Sequence, residues 1–195
     1  LRHGIMICND NPYSFILNDN PLSILACPRA KECCLELNSL SKAHNMAGWR
    51  IGMVAGASDV ISEILKVKSQ MDSGMFKPLQ LAAVEALKQG PEWFAELNAE
   101  YRRRRELAGE IFDLIGAEYD HDSAGMFLWG RVEDHAEGEV SAGQRISDKI
   151  LYEAGVFITP GFIFGRNGEN YIRISLCAKP EVLKTAAEKI RRILL

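Results

Sequence analysis

Apolar positions run continuously at the start of the chain, take on helical spacing through its middle, and return to short runs near its end. Residues 4–8 (Gly-Ile-Met-Ile-Cys) form an unbroken apolar run that predicts a buried strand. Residues 33–37 and 49–54 read as two further strands. Between the first and second, residues 14–31 have few apolar positions in sequence and turn at Asn18-Asp19-Asn20-Pro21, so they are expected on the surface. Helical spacing begins at residue 59 and continues to about 71, with Ser58 as N-cap and Val60, Ile61, Ile64, Leu65 and Val67 on a buried face. A second helix is expected from Pro78 to residue 89, stopped by Gly90. A third runs from Pro91 to about 115, closed by Gly116, with Trp93, Phe94, Leu97, Tyr101, Leu107, Ile111 and Leu114 near helical spacing.

The remainder reads as α+β. Strands are expected at 123–132, 156–159 and 171–177, a charged turn at 133–139, and helices at 141–154 and 179–195. Gly155 would stop the first of these helices, and Pro180 suits the opening turn of the second.

The chain has 195 residues, 47% hydrophobic and 25% charged, with a net charge of −3, the composition of a globular protein with enough apolar material for a core. Mild acidity gives no reason to expect nucleic acid or an anionic membrane as a partner. Arg102 to Arg105 is a basic run, but successive residues point around a whole helix. Local glutamate partners on a solvated face are expected there instead. No run is long enough to span a bilayer, and no cationic leader opens the chain. The cysteines (8, 27, 33, 34 and 177) show no CxxC spacing and lie mostly in apolar runs, which suggests buried thiols in a reducing cytoplasmic setting. The histidines lack ligand spacing, and no metal site is expected.

Chemistry concentrates in residues 39–56, where a polar loop leaves one strand and enters another. It holds Ser39, Ser41, Lys42 and Arg50. A confined lysine gives up its proton more readily than a solvated one, and a neutral amine can bond to an aldehyde. Arg50 and the serine hydroxyls are the donors a phosphate would need. Upstream, Asp10 and Tyr13 lie in a loop after the first strand, the end of an open α/β sheet where ligands bind. Downstream, Arg173 lies among strand apolars in Tyr-Ile-Arg-Ile-Ser, a costly place without a counter-ion.

Ser39-x-Ser41-Lys42 followed by Gly48-x-Arg50-x-Gly52 resembles the lysine signature of class I/II aminotransferases, the fold-type I pyridoxal-phosphate enzymes. Asp10 and Tyr13 repeat the family's D-x-x-Y spacing, and residues 160–175 resemble its C-terminal arginine motif. The resemblance implies that Lys42 is the catalytic residue and carries pyridoxal 5′-phosphate covalently. Ser39, Ser41 and Arg50 would bind the cofactor's phosphate, Asp10 its pyridinium nitrogen and Tyr13 its phenolic oxygen. Arg173 would grip the substrate's α-carboxylate.

By the same likeness the fold is α/β. Residues 1–95 would be part of the large-domain sheet, and 96–195 the α+β small domain. The resemblance covers only the family's C-terminal half, so the chain reads as a fragment that is inactive alone. A homodimer is implied, with residues 70–76 at its interface, and amino acids and 2-oxo acids as substrates. The absence of arginine from residues 69–76 disfavours a dedicated aspartate enzyme. A carbon–sulfur lyase on the same fold, or the non-catalytic effector domain of a transcription regulator, stays open as an alternative.

Overall fold

A computed structural model describes residues 1–133 and 140–194. Most of the charged turn expected at 133–139 lies outside them. The chain divides into two compact units, Leu1–Leu97 and Asn98–Leu195.

In the first unit, strands β1 (Ile7–Asp10), β2 (Cys34–Ser39) and β3 (Gly52–Gly56) form a sheet in that order, β1 parallel and β3 antiparallel to β2. β1 is an edge strand, not the buried one expected. Ile5 and Met6 beside it are 63% and 52% exposed, because only β2 meets it. β3 also starts later than its apolar run suggested. Residues Ala47–Trp49 form a 3-10 turn, and Arg50 adopts a left-handed conformation that delays the strand to Gly52.

Residues 14–31 are more structured than a surface loop. Ser14, Ile16, Leu17 and Ala30 are buried. The Glu36 carboxylate accepts from Ser23 Oγ (2.7 Å) and from the backbone N–H of Ile24 (2.9 Å), tying the segment to β2. These contacts link residues more than ten positions apart, which local composition does not report.

Helix α1 (Ser58–Met71) has the apolar spacing expected but no buried residue. Ile64, Leu65 and Val67 are exposed, since nothing in this unit covers that stripe. Helix α2 (Lys77–Ala86) packs its small face, Ala82, Ala83 and Ala86, against Leu40, Met46 and Ile51 of the loop between β2 and β3. Helix α3 (Pro91–Ile115) has the expected bounds, with Gly116 at φ +75 beyond its end.

The second unit holds an antiparallel sheet in the order β4 (Glu118–Tyr119), β5 (Phe127–Arg131), β7 (Tyr171–Ser175), β6 (Thr159–Pro160). The two-residue strand β4 was not expected. Leu128, Ile172 and Ile174 turn one face of the sheet into a core shared with Leu107, Ile111 and Phe112 of α3. Helices α4 (Ala142–Ala154) and α5 (Pro180–Leu194) add Ile150, Leu183, Ala187 and Ile190. Ser141 caps α4 by accepting from the Gln144 N–H, and Gly155 closes it in a left-handed conformation at φ +64. Gly130 of β5 allows close packing, because a Cβ there would lie 2.8 Å from the Phe112 ring.

The arginine run is only partly a solvated face. Arg104 pairs with Glu100 at 2.9 Å, as expected, but also donates to the Leu176 carbonyl. Arg105 donates to the Ser123 carbonyl. Among the described residues no helix is long and apolar enough to cross a membrane. All five cysteines are free, and the expectation of buried thiols fails for most of them. Only Cys34 is buried, while Cys8, Cys27 and Cys177 are exposed. A thiol in an apolar run is exposed wherever that run forms a sheet edge or a turn.

Candidate active site

Parallel pairing carries β1 and β2 in the same direction, with Asp10 opposite Leu37. The segments leaving both strands therefore emerge together, at the carboxyl edge of the sheet. Asp10 ends β1 and is exposed. The Asn11 N–H still donates to the Leu37 carbonyl (2.9 Å), and the chain then turns with the Ile16 N–H bonded to the Tyr13 carbonyl. Burial of Ile16 and Leu17 anchors this turn, and Phe15 stacks on Phe94 with ring centroids 5.0 Å apart. Tyr13 is thereby held with its ring 5.5 Å from the Lys42 Nζ.

The connection from β2 to β3 holds Ser39, Ser41, Lys42 and Arg50. It is closed by the Leu40 N–H on the Ile51 carbonyl and the Met46 N–H on the Leu40 carbonyl. A tighter turn inside it bonds the Asn45 N–H to the Lys42 carbonyl, with Asn45 left-handed at φ +53. Leu40 and Met46 fix the loop to α2, and Trp93 Nε1 donates to the Ala43 carbonyl at 2.9 Å. The backbone on either side of Lys42 is thus pinned, and its amine lies over the Tyr13 ring. Ser39 Oγ accepts from the Ser41 N–H (3.4 Å), and Arg50 folds back to donate to the Ala47 carbonyl (3.0 Å).

The sequence reading missed the residues that support this loop. Trp93 and Phe94 were counted only as part of a buried stripe, yet they brace Ala43, His44 and Phe15. Adjacent aromatics in the first turn of a helix were the available signal. His44 meets Phe94 edge-on at 5.5 Å, and its buried Nδ1 has no hydrogen-bond partner. Burial lowers its pKa below the ordinary histidine value.

An unfolded chain would protonate His44 near pH ~6.5, and the folded one only at lower pH. Its contribution to stability is therefore present above that range and lost as pH falls through the folded value. His44→Phe is expected to raise stability by about 1 kcal/mol by removing the unpaired nitrogen. It should also flatten the loss of stability between pH 7 and pH 5. Urea titrations at the two pH values measure both effects. A parallel acid limb in the variant would show that His44 does not titrate on unfolding.

Arg173 lies in the second unit, at the middle of β7, opposite Trp129 of β5 and Thr159 of β6. Among the described residues no carboxylate lies within ion-pair distance of it, which leaves its donors open for the carboxylate of a ligand. The guanidinium sits 4.4 Å from the Phe127 ring centroid and 4.2 Å from that of Phe164. The faces of two aromatic rings partly replace hydration of the charge. Trp129 stacks on Tyr171 and meets Phe164 edge-on, so aromatic rings surround this face of the sheet.

In the first unit an amine, a phenol, a carboxylate, paired serine hydroxyls and an arginine thus occur on neighbouring turns at one sheet edge. That donor set suits a phosphorylated pyridine aldehyde, with hydroxyls and Arg50 for the phosphate and Asp10 for a protonated ring nitrogen.

The family model of aminotransferase class I and II matches residues 2–190 of the chain. The LL-diaminopimelate aminotransferase of Natranaerobius thermophilus is 40% identical over 191 residues, covering 97% of this chain and 48% of that protein. Among solved structures, apo-BacF from Bacillus subtilis aligns with a TM-score of 0.87 and 31% identity, over 100% of this chain and 49% of that one. A probable N-succinyldiaminopimelate aminotransferase from Thermus thermophilus gives 0.86 and 32%, over 98% and 50%.

These likenesses define the fold as that of the pyridoxal-phosphate-dependent aminotransferases. The chain belongs to the class I and II aminotransferase family. It spans about half the length of the curated relatives it matches.

Proposed function

We propose that the protein carrying this chain is a pyridoxal 5′-phosphate-dependent aminotransferase, moving an amino group between an amino acid and a 2-oxo acid. The observation that carries this reading is the Lys42 amine, held against Tyr13 in a loop pinned by Leu40, Met46 and Trp93.

Lys42 would bond the cofactor, while Ser39, Ser41 and Arg50 hold its phosphate, Asp10 its ring nitrogen and Tyr13 its phenolic oxygen. The bound cofactor supplies an electron sink for the substrate's Cα. Lys42 Nζ takes the proton from that Cα and returns it elsewhere on the reacting framework, as general base and then acid. Arg173 receives the substrate's α-carboxylate in a bidentate pair, which fixes the orientation of the Cα–H bond.

The names of the curated relatives make LL-diaminopimelate the first amino donor to test. The protein would act in the cytoplasm, where its free thiols stay reduced. It would work as a homodimer with residues 70–76 at the interface. Exposure of Met71, Met75 and Phe76 there supports that contact.

The intact protein, supplied with cofactor, LL-diaminopimelate and 2-oxoglutarate, is expected to form glutamate. Ammonia without glutamate would identify a lyase. No turnover of any amino acid, with cofactor bound, would favour an effector domain.

A further inference from the structure

We propose that Cys33 and Cys34 form a vicinal-dithiol site that captures trivalent, thiophilic metalloids, with organoarsenicals as the chemical class. Their Sγ atoms lie 3.8 Å apart. Neighbouring side chains on a strand ordinarily point to opposite faces. Cys33 escapes that rule because it ends the 3-10 turn Ala30–Glu32 with φ −150 and ψ 5, so its backbone is not yet extended where β2 begins. The twist at this one residue brings two adjacent thiols into contact.

The backbone of the two cysteines is held from several sides. The Cys33 N–H donates to the Ala30 carbonyl (3.0 Å), and the Cys33 carbonyl accepts from the Ile7 N–H (3.1 Å). The Cys34 carbonyl accepts from the Ala57 N–H (3.1 Å). Gly56 runs so close that a Cβ there would lie 2.1 Å from the Cys34 oxygen. Closing a disulfide would draw the sulfurs to about 2.05 Å across a planar peptide, against these bonds. A chelate leaves the sulfurs apart, each bonded to one shared atom, and asks little of the backbone. Half-exposed Cys33 offers the point of entry. Buried Cys34, whose thiol burial keeps protonated to higher pH, completes the ring.

Among the described residues no group of three or more histidine, cysteine or acidic side chains could hold a metal ion. Two sulfurs alone suit an arsenic centre that already carries its third, carbon ligand. In the reaction R–As(OH)₂ and two thiols give R–As(SR)₂ and two waters. Two As–O and two S–H bonds break and two As–S bonds form. The thiol protons leave in the water, and arsenic stays trivalent.

The test is titration of the reduced chain with phenylarsine oxide, read by intact mass and by thiol counting. One adduct per chain is expected, with loss of two reactive thiols, mapped to the peptide holding both cysteines. A dithiol should reverse it and a monothiol should not. Cys33→Ser should weaken capture by on the order of 10²–10⁴-fold, because a two-point attachment becomes one-point. Cys34→Ala should do the same, with circular dichroism as the check on folding. Cys8→Ser, Cys27→Ser and Cys177→Ser should leave capture unchanged. Full capture by Cys33→Ser, or its loss in Cys27→Ser, overturns the proposal. So does a Cys33–Cys34 disulfide formed on exposure to a small disulfide oxidant while arsenical capture is absent.

Discussion

Replacing Lys42 by alanine in the intact protein is expected to abolish covalent retention of pyridoxal 5′-phosphate while leaving the fold nearly unchanged. The loop does not depend on the amine. Its shape comes from Leu40 and Met46 against α2, from the Trp93–Ala43 hydrogen bond and from the turn closed at Asn45. The described contact of the Lys42 amine is with the Tyr13 ring, worth about 0.5–1 kcal/mol at an accessible site. A small drop in melting temperature is therefore expected beside a large functional loss. Removing the proton-transfer group alone should lower turnover by on the order of 10²–10⁴-fold. Borohydride reduction followed by peptide mapping should place a pyridoxyl group on Lys42 in the wild type and on no lysine in the variant. A label on Lys31, Lys66 or any other lysine would remove Lys42 from its assigned role.

What the sequence disclosed, and what it concealed, separates along a physical line. Elements bounded by local chemistry were legible. Pro91 and Gly116 bracket α3, and Ser141 and Gly155 bracket α4, because caps are settled by residues within a turn of the helix end. The candidate site was legible as a set of residue types in fixed spacing, and the parallel register of β1 and β2 brings Tyr13 and Lys42 together.

Contacts between distant segments were not legible. Spacing showed that α1 has an apolar stripe but could not show that nothing in its unit covers Leu65 and Val67. The burial of Ile16 and Leu17, and the anchoring of Ser23 and Ile24 on Glu36, rest on distant contacts that composition near residue 20 does not encode. The surroundings of Arg173 were hidden for the same reason. A strand arginine signals a need for compensation, but whether a carboxylate or a pair of aromatic rings meets it is decided by the loop at Phe164 and the neighbouring strand at Phe127.

Contact with two aromatic rings sharpens the expectation for Arg173→Lys. The guanidinium carbon lies 4.4 Å from the Phe127 centroid and 4.2 Å from that of Phe164, and its planar fork suits a carboxylate. Lysine keeps the charge but is a point donor without a plane, and it loses both the bidentate geometry and the stacking. One charge-assisted hydrogen bond contributes about 1.5–3 kcal/mol. Loss of one such bond together with the orientation it enforces should cost on the order of 2–4 kcal/mol in transition-state binding. That corresponds to a fall in kcat/KM for amino acids of about 30- to 1,000-fold. Cofactor retention by Lys42 should not change, because the assigned cofactor contacts all lie between residues 10 and 50. Phe164→Leu provides the graded comparison. It keeps the guanidinium and removes one ring, a contact worth about 0.5–2 kcal/mol, so kcat/KM should fall by roughly 2- to 30-fold. Steady-state kinetics and cofactor content measured on the same preparations test both variants. Unchanged kcat/KM with lost cofactor in Arg173→Lys would move this arginine from the substrate to the cofactor. Equal losses in the two variants would mean that the rings, and not the fork, carry the recognition.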